Sequence, residues 1–331
     1  MTSTRSAVSP RRRRALRLVG ALAAARYVGV AFARYPERAI RLIVPGGAGG
    51  STDAVARIPQ RDAENALGQP LVVDNRFGAG GLIGTMEAVR SPADGYTLLV
   101  ASLGTHVLRP LLVNDTPFDT LRDLAPITRL VNVPGIILAR PGLPASNLRE
   151  LIALAKASPK PLAYGTPGVG TSAHLIAELL CARADIELLH VPYSSSAPSY
   201  ADLMAGRLAL AFSLVTGVQG HVTSGRMKAI AVTSRTRVRS LPQVPTVEES
   251  GIPDFDVTSW YGLMAPAGTP LDARERVHRA FASALAGDDV VDRLAAIGAD
   301  VVANTPAQFA ADLRDDFAQW AAVIRKADIR L

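Results

Sequence analysis

The stretch that most constrains the fold of this chain is an apolar strand that runs into a glycine-rich loop and then into a helix. The strand is IRLIV at residues 40–44, the loop is PGGAGG at residues 45–50, and Ser51, Thr52 and Asp53 open the helix. Such a turn brings unpaired backbone N–H groups and the positive end of a helix dipole to one point, which is how proteins hold small anions. The sequence therefore predicts that function begins at this loop.

Three interpretations of this loop stay open. The favoured one is a small-anion site, and the simplest is a tight turn that needs glycine only to bend. The third is a dinucleotide site, in which Asp74 at the end of the next strand would bind a ribose. Thr52 stands where the third glycine of the G-x-G-x-x-G pattern would be, which disfavours the third interpretation.

A second glycine-rich loop, GTPGVGTS at residues 165–172, nearly matches a phosphate-binding P-loop. Thr171 replaces the essential lysine, so phosphate-transfer chemistry is disfavoured. The same backbone can still cradle a carboxylate, because it again ends at a helix N-terminus. A plain turn is the alternative.

The net charge of +7 suggests a nucleic-acid-binding protein, but its distribution argues against one. Residues 1–33 contain seven arginines and no acidic residue, which leaves 29 basic and 29 acidic residues in the rest of the chain. A basic nucleic-acid-binding face is therefore not supported.

Residues 1–33 have the pattern of an export signal. Four arginines at residues 11–14 precede an apolar stretch at residues 16–25 and an A-x-A cleavage site at residues 31–33. The adjacent arginines at residues 13 and 14 also fit a twin-arginine signal, so both the Sec route and the twin-arginine route of export stay open. A membrane anchor is disfavoured because arginines interrupt the apolar stretch. The lone Cys181 fits an exported protein without disulfides, and we expect a periplasmic location.

Strand and helix patterns alternate along the mature chain and predict an α/β protein with mostly parallel sheets. The alternation restarts after residue 130, and helices near the C-terminus have no strand set of their own. We therefore expect one discontinuous lobe at residues 34–130 plus 256–331 and a second at residues 131–255. Two chain crossings between lobes imply a hinge and a ligand cleft.

No catalytic pattern stands out in the sequence. It has no G-x-S-x-G or H-E-x-x-H motif and no cysteine pair for zinc, so no metal or cofactor is expected. Arg76 and Arg109 are either carboxylate clamps or ordinary solvated arginines. An exported hydrolase-like or nucleotide-dependent enzyme, and a sensor that docks on a signalling partner, stay open as alternatives to a transport receptor.

Short motifs in a fixed order connect the chain to a known family. They are YPER at 35–38, IRLIVP at 40–45, GGSTD at 49–53, VDNRFGAGG at 73–81, DGYTL at 94–98, GTH at 104–106, GTSAH at 170–174, HVPY at 190–193, AIAVT at 229–233, PQVPT at 242–246 and TSWYG at 258–262. In these motifs the chain resembles the Bug proteins, the substrate-binding receptors of tripartite tricarboxylate transporters. The resemblance spans essentially the whole mature chain.

The resemblance implies a two-lobed periplasmic-binding-protein fold of type II, the Venus-flytrap fold. Such a receptor closes around a small carboxylate and passes it to a membrane transporter; we expect a monomer. Carried over position by position, the ligand-binding residues of the first lobe would be Gly50, Ser51, Thr52, Asp53, Thr105 and His106. Those of the second lobe would be Gly170, Thr171, Ser172, His174 and Tyr193.

Three positions depart from the family pattern. Residues 46–48 are GGA where the family usually has an aromatic residue and a second proline, so the loop loses a stacking contact. Ser194 and Ser195 replace the usual Lys-Gly, and Ser213 and Leu214 replace the usual Asp-Asn. The identity of the ligand therefore cannot be taken from a relative.

Overall fold

The computed structural model describes residues 35–113 and 116–326. The strands are β1 (Ile40–Val44), β2 (Leu71–Asn75), β3 (Thr97–Ser102), β4 (Leu124–Ala139), β5 (Leu162–Thr166), β6 (Leu188–Pro192), β7 (Leu210–Leu214), β8 (Lys228–Val232), β9 (Thr258–Pro266) and β10 (Asp300–Val301). The α-helices are Ser51–Arg57, Gln60–Leu67, Leu82–Val89, Arg109–Leu112, Thr120–Asp123, Leu148–Ala157, Ser172–Ala184, Ser196–Met204, Gln219–Thr223, Leu271–Leu285, Asp288–Ala296 and Pro306–Lys326. A 3₁₀ turn covers Ala79–Gly81 and a π-helical turn covers Gly104–Leu108.

The strands form one mixed sheet in the order β2-β1-β3-β9-β4-β7-β5-β6, and β8 and β10 also pair with β4. Strand β1 is parallel to β2 and β3, and β5 is parallel to β6 and β7. Every antiparallel pair in the described part of the chain involves β4 or β9. We call the part built on β1–β3 the first lobe and the part built on β5–β7 the second lobe.

Strand β4 serves both lobes. Its residues 124–134 pair with β9, its residues 135–139 pair with β7, and residues 136–139 also pair with β8. The sequence predicts a strand only over residues 135–139, and this is too short. Pro126 and Pro134 lack an N–H group and make the first part look like a loop. Pairing with β9 orders it nevertheless, with a register shift between Pro126 and Thr128.

The helices Leu271–Leu285 and Asp288–Ala296 pack on the first lobe. Val277 and Phe281 share a buried cluster with Ile40 and Leu42 of β1. The last helix buries Phe309 against Trp260 of β9, with ring centroids 5.2 Å apart. The two-residue strand β10, which the sequence does not predict, adds a short antiparallel pair to β4.

The apolar spacing of the sequence predicts one helix over residues 53–67, closed by Gly68. The structure has two helices there, Ser51–Arg57 and Gln60–Leu67. Pro59 divides them because its ring and its missing N–H interrupt a helix. The second helix ends at Gly68 in the left-handed conformation (φ +75°), so the predicted end of the helix is correct.

The predicted export signal at residues 1–33 lies outside the described residues. Within residues 35–113 and 116–326, no helix has both the length and the apolar character needed to cross a membrane.

Candidate functional site

The first glycine loop, residues 46–50, is held by a carboxylate from the helix that follows it. The Gly49 N–H donates to Asp53 Oδ2 over 2.9 Å. Asn75 Nδ2 donates to Asp53 Oδ1 (2.9 Å) and to the Gly46 carbonyl (3.1 Å). The Gly50 N–H donates to the Gly47 carbonyl (3.1 Å). The loop is therefore tied to both its own helix and the end of β2.

The Asp53 carboxylate is fully engaged by the protein. Arg57 Nε donates to Asp53 Oδ1 over 2.8 Å, and Asp53 is only 3% exposed. Burial alone would raise the pKa of Asp53, but the bonds from Gly49, Arg57 and Asn75 outweigh it and lower the pKa. Asp53 thus stabilises the conformation of the loop through hydrogen bonds on its buried side.

Ser51 and Thr52 lie at the opposite side of this loop, toward the second lobe. The Ser51 hydroxyl donates to the carbonyl of Thr216 (3.4 Å) and accepts a short hydrogen bond from the Thr216 hydroxyl. The hydroxyls of Ser51 and Thr52 lie beside Tyr261 of β9. Burial raises the pKa of Tyr261 to about 12, and the hydrogen bonds from Thr52 and Ser51 oppose that rise. Ser51 therefore joins the two lobes, since Thr216 follows β7.

The second glycine loop is held by hydroxyls and an imidazole. Thr171 caps the helix Ser172–Ala184: its Oγ1 accepts from the His174 N–H (3.4 Å) and donates to the Gly168 carbonyl (2.8 Å). Gly170, in the left-handed conformation at φ +76°, donates its N–H to His174 Nδ1 over 3.3 Å. A side chain at Gly170 would be strained in this turn.

Two stacked histidines lie beneath the second loop. The rings of His174 and His190 are 3.9 Å apart, and His190 Nε2 lies 2.7 Å from Thr166 Oγ1. Burial is the largest cause that lowers the pKa of His190, to about 4. Glu178 lies 3.6 Å from His174 Nε2, and its pKa is lowered, chiefly by the hydrogen bond from His174. The imidazole of His190, beneath the loop, is therefore neutral near pH 7.

The two lobes meet at the start of the helix Ser172–Ala184. A Cβ built on Gly104 would lie 3.1 Å from the Ser172 N atom and 3.2 Å from its Oγ. Ser172 Oγ lies 3.1 Å from Ser259 Oγ of β9. Thr105, next to Gly104, donates its hydroxyl to the Gly80 carbonyl over 3.0 Å. The positive end of this 13-residue helix therefore points at the first lobe.

His106 supports this junction from inside the first lobe. The side chain is 0% exposed; Nδ1 accepts from the Ser102 N–H (3.1 Å), and Nε2 lies 3.2 Å from Thr85 Oγ1. Thr85 in turn donates to the Gly81 carbonyl over 2.9 Å. Burial lowers the pKa of His106 to about 4, although the Ser102 hydrogen bond acts in the opposite direction. The imidazole therefore positions a glycine loop without bordering any water-sized space.

Tyr193 lies behind the second loop. Its hydroxyl donates to Asp202 Oδ2 over 2.6 Å, and a Cβ built on Gly165 would lie 3.2 Å from its ring. Of the residues predicted from the sequence, Ser51, Thr52, Thr105, Gly170, Thr171 and Ser172 lie where the lobes meet or beside that junction. The side chains of Asp53, His106, His174 and Tyr193 support the loops from behind, and Gly50 is exposed at the first loop.

Comparison with known proteins identifies the family. The model of the family described as "Tripartite tricarboxylate transporter family receptor" matches residues 55–329. The chain belongs to this receptor family. It is 38% identical over 298 residues to the protein BugT of Bordetella pertussis, covering 90% of this chain and 91% of BugT.

Solved structures agree with this assignment. The periplasmic binding protein BugD has a TM-score of 0.83 and 34% identity, covering 89% of this chain and 99% of BugD. Rpa4515 of R. palustris, solved with adipate, has a TM-score of 0.85 and 31% identity, covering 89% of this chain and 99% of Rpa4515. The family consists of periplasmic solute-binding receptors and not enzymes, so the receptor prediction and the two-lobed α/β fold are confirmed.

Three residues at the junction of this receptor are absent from the set predicted from the sequence: Thr216, Ser259 and Tyr261. Ser259 and Tyr261 alternate along β9, so their side chains lie on one face of the sheet, and both are at most 5% exposed. The TSWYG motif at residues 258–262 was a signal that could have found two of them. Thr216 has no such local signal, because its partner Ser51 lies 165 residues away.

The junction is lined mainly by hydroxyl groups. Buried members are Ser172, Thr216, Ser259 and Tyr261. Over the described residues, no group of three metal-ligating side chains is found. Hydroxyls and backbone N–H groups are suited to hydrogen bonding a small anion, which is the chemistry that this arrangement can offer.

Proposed function

We propose that this receptor binds a small carboxylate between its lobes in the periplasm and delivers it to the membrane subunits of a tripartite tricarboxylate-type transporter. The observation that carries the proposal is the buried row of hydroxyls at the junction, next to the start of the helix Ser172–Ala184. A neutral donor set of this kind favours an anion. The adipate in the related Rpa4515 is consistent with that ligand class.

The proposed binding residues have two roles. Gly50, Ser51, Thr52, Thr105, Gly170, Thr171 and Ser172 supply backbone N–H groups and hydroxyls to the carboxylate. Asp53, His106, His174 and Tyr193 keep the two loops in shape. Each hydrogen bond to the charged carboxylate would contribute about 1.5–3 kcal/mol, because the closed lobes exclude water.

We place the hinge where the chain crosses between the proposed lobes, residues 34–130 plus 256–331 and residues 131–255. One crossing is β4, whose pairing changes near Pro134. At the other, Thr233 donates its hydroxyl to the Val257 carbonyl over 2.6 Å, and its backbone carbonyl accepts from the Val257 N–H over 2.9 Å. Opening at these two crossings would separate Ser51 from Thr216 and admit the ligand.

A thermal-shift screen of the mature monomer with mono-, di- and tricarboxylates tests binding. A true ligand at 100 times its Kd should stabilise the protein by about 2.7 kcal/mol. Ser51→Leu, which fills the junction, should abolish the shift. Ser146→Leu, at an exposed serine before the helix Leu148–Ala157, is the matched control and should keep it. Stabilisation by none of the acids would contradict the proposal.

Delivery and location need cellular measurements. Deleting the gene should abolish uptake of the acid that the screen identifies, and the mature protein should appear in the periplasmic fraction. Uptake that continues unchanged without the receptor would contradict the transport role while leaving binding intact.

A further inference from the structure

Arg109 lies between the glycine loops of both lobes. It directly follows the π-helical turn Gly104–Leu108, and such turns often mark functional positions. A Cβ built on Gly170 would lie 3.8 Å from Arg109 Cβ, and a Cβ built on Gly80 would lie 3.3 Å from its Nη1. The side chain thus extends from the second-lobe loop to the first-lobe loop that Thr105 also contacts.

The guanidinium of Arg109 has no counter-charge among the described residues. Its Nε is buried and has no hydrogen-bond partner there, and none of the ion pairs within 4.0 Å in that part of the chain includes it. Neighbouring arginines of the first lobe differ. Arg57 pairs with Asp53, and Arg76 pairs with Asp74 (3.0 Å) and Glu87 (3.4 Å).

Arg109 is a partly buried cation with no acceptor among the described residues, and an anion that completes its hydrogen bonds would stabilise it. We propose that Arg109 binds a second carboxylate of the ligand, so that the receptor selects dicarboxylates over monocarboxylates. The planar fork of arginine suits a carboxylate, whereas the hydroxyl-lined junction holds the first carboxylate. This inference rests on the proposed function, because it adds a second contact in the same site.

Calorimetric titration with chain-matched acids tests the proposal: succinate against butyrate, glutarate against valerate, and adipate against hexanoate. The wild-type receptor should bind at least one dicarboxylate about tenfold or more tighter than its monocarboxylate partner, the effect of one charge-assisted contact. Arg109→Gln should reduce this preference to about twofold or less without weakening the monocarboxylate. Arg109→Lys, which keeps the charge but not the fork, should be intermediate.

Arg76→Gln is the matched control and should retain the full preference, because its guanidinium is already paired. Circular dichroism checks folding, and Arg109→Lys carries the test if Arg109→Gln fails to fold. A wild-type receptor without preference, or an Arg109→Gln variant that keeps it, would overturn the inference while leaving carboxylate binding intact. Binding of none of the six acids would also overturn this inference, whereas the proposed function fails only if no acid stabilises the receptor in the thermal-shift screen.

Discussion

The two glycine loops occupy equivalent positions, at the end of a strand and before a helix, but they are held by different chemistry. In the first loop, the charged carboxylate of Asp53 accepts from Gly49, Arg57 and Asn75. In the second loop, the Thr171 hydroxyl donates to the Gly168 carbonyl and His174 Nδ1 accepts from the Gly170 N–H. A strand-to-helix glycine loop can therefore be held by a carboxylate or by a hydroxyl and an imidazole.

The comparison also indicates how each loop responds to acid. The Asp53 carboxylate has a pKa below its ordinary value, so it stays charged until the pH is low. The imidazole under the second loop, His190, is neutral because burial lowers its pKa to about 4. Acid should affect the second loop first. The three predictions below test this difference.

The largest effect is expected at the first loop. Asp53→Ala removes the buried acceptor of the Gly49 N–H, the Asn75 amide and Arg57, and it leaves Arg57 without its counter-charge. We expect a loss of about 3 kcal/mol in the free energy of unfolding, measured by urea denaturation. Asp62→Ala, at an exposed carboxylate in the first turn of the neighbouring helix, should cost no more than about 0.5 kcal/mol. Equal losses in the two variants would show that Asp53 does not hold the loop.

The second prediction concerns pH. Between pH 6.5 and pH 4 the unfolded chain protonates His190 and the folded chain does not, so stability should fall as the pH falls through this window. Because part of the imidazole remains in solvent, His190 should account for about 1 kcal/mol at pH 5. The fully buried His106, with a pKa of about 4, should account for a further loss of about 2 kcal/mol in the free energy of unfolding at pH 5.

Melting temperatures from pH 7.5 to pH 4.5 check this prediction. The His190→Gln variant should have a flatter profile than the wild type, with the contribution of His106 remaining. The Asp53→Asn variant should be less stable throughout but equally steep in this window. A His190→Gln profile as steep as that of the wild type would rule out the second-loop mechanism.

The smallest effect is expected at the cap of the second loop. Thr171→Ala removes the acceptor for the His174 N–H and the donor to the Gly168 carbonyl. We expect a loss of about 1 kcal/mol, measured by urea denaturation. Thr171→Ser, which retains the hydroxyl, should recover most of it. If the serine variant is as unstable as the alanine variant, the methyl group and not the cap is what matters.

Features that depend on neighbouring residues could be predicted from the sequence. Asn147 and Glu150 have the spacing of a capping box, which predicts that a helix begins at residue 148. In the structure Asn147 caps the helix Leu148–Ala157 by accepting from the Glu150 N–H over 2.9 Å. Thr305 likewise begins the last helix, in which Phe309 and Leu313 are buried as the spacing predicts. Capping and periodicity act over a few residues, so their signals are present in the local sequence.

Features that depend on distant residues could not. The first part of β4 contains two prolines and becomes a strand only through its pairing with β9. Ser259 and Thr216 enter the junction because their partners in the other lobe are brought within hydrogen-bonding distance. The sequence leaves Arg109 between a clamp and a solvated arginine, since it does not show which carboxylates lie within reach.

The sequence by itself determined the receptor family, the two glycine loops and most helix boundaries, because these depend on motifs and short-range hydrogen bonds. Only the tertiary structure decided which predicted residues lie at the junction and which support the loops, how β4 joins the lobes, and which arginines are already paired. These outcomes depend on long-range packing, which brings side chains far apart in the chain into contact and removes them from water.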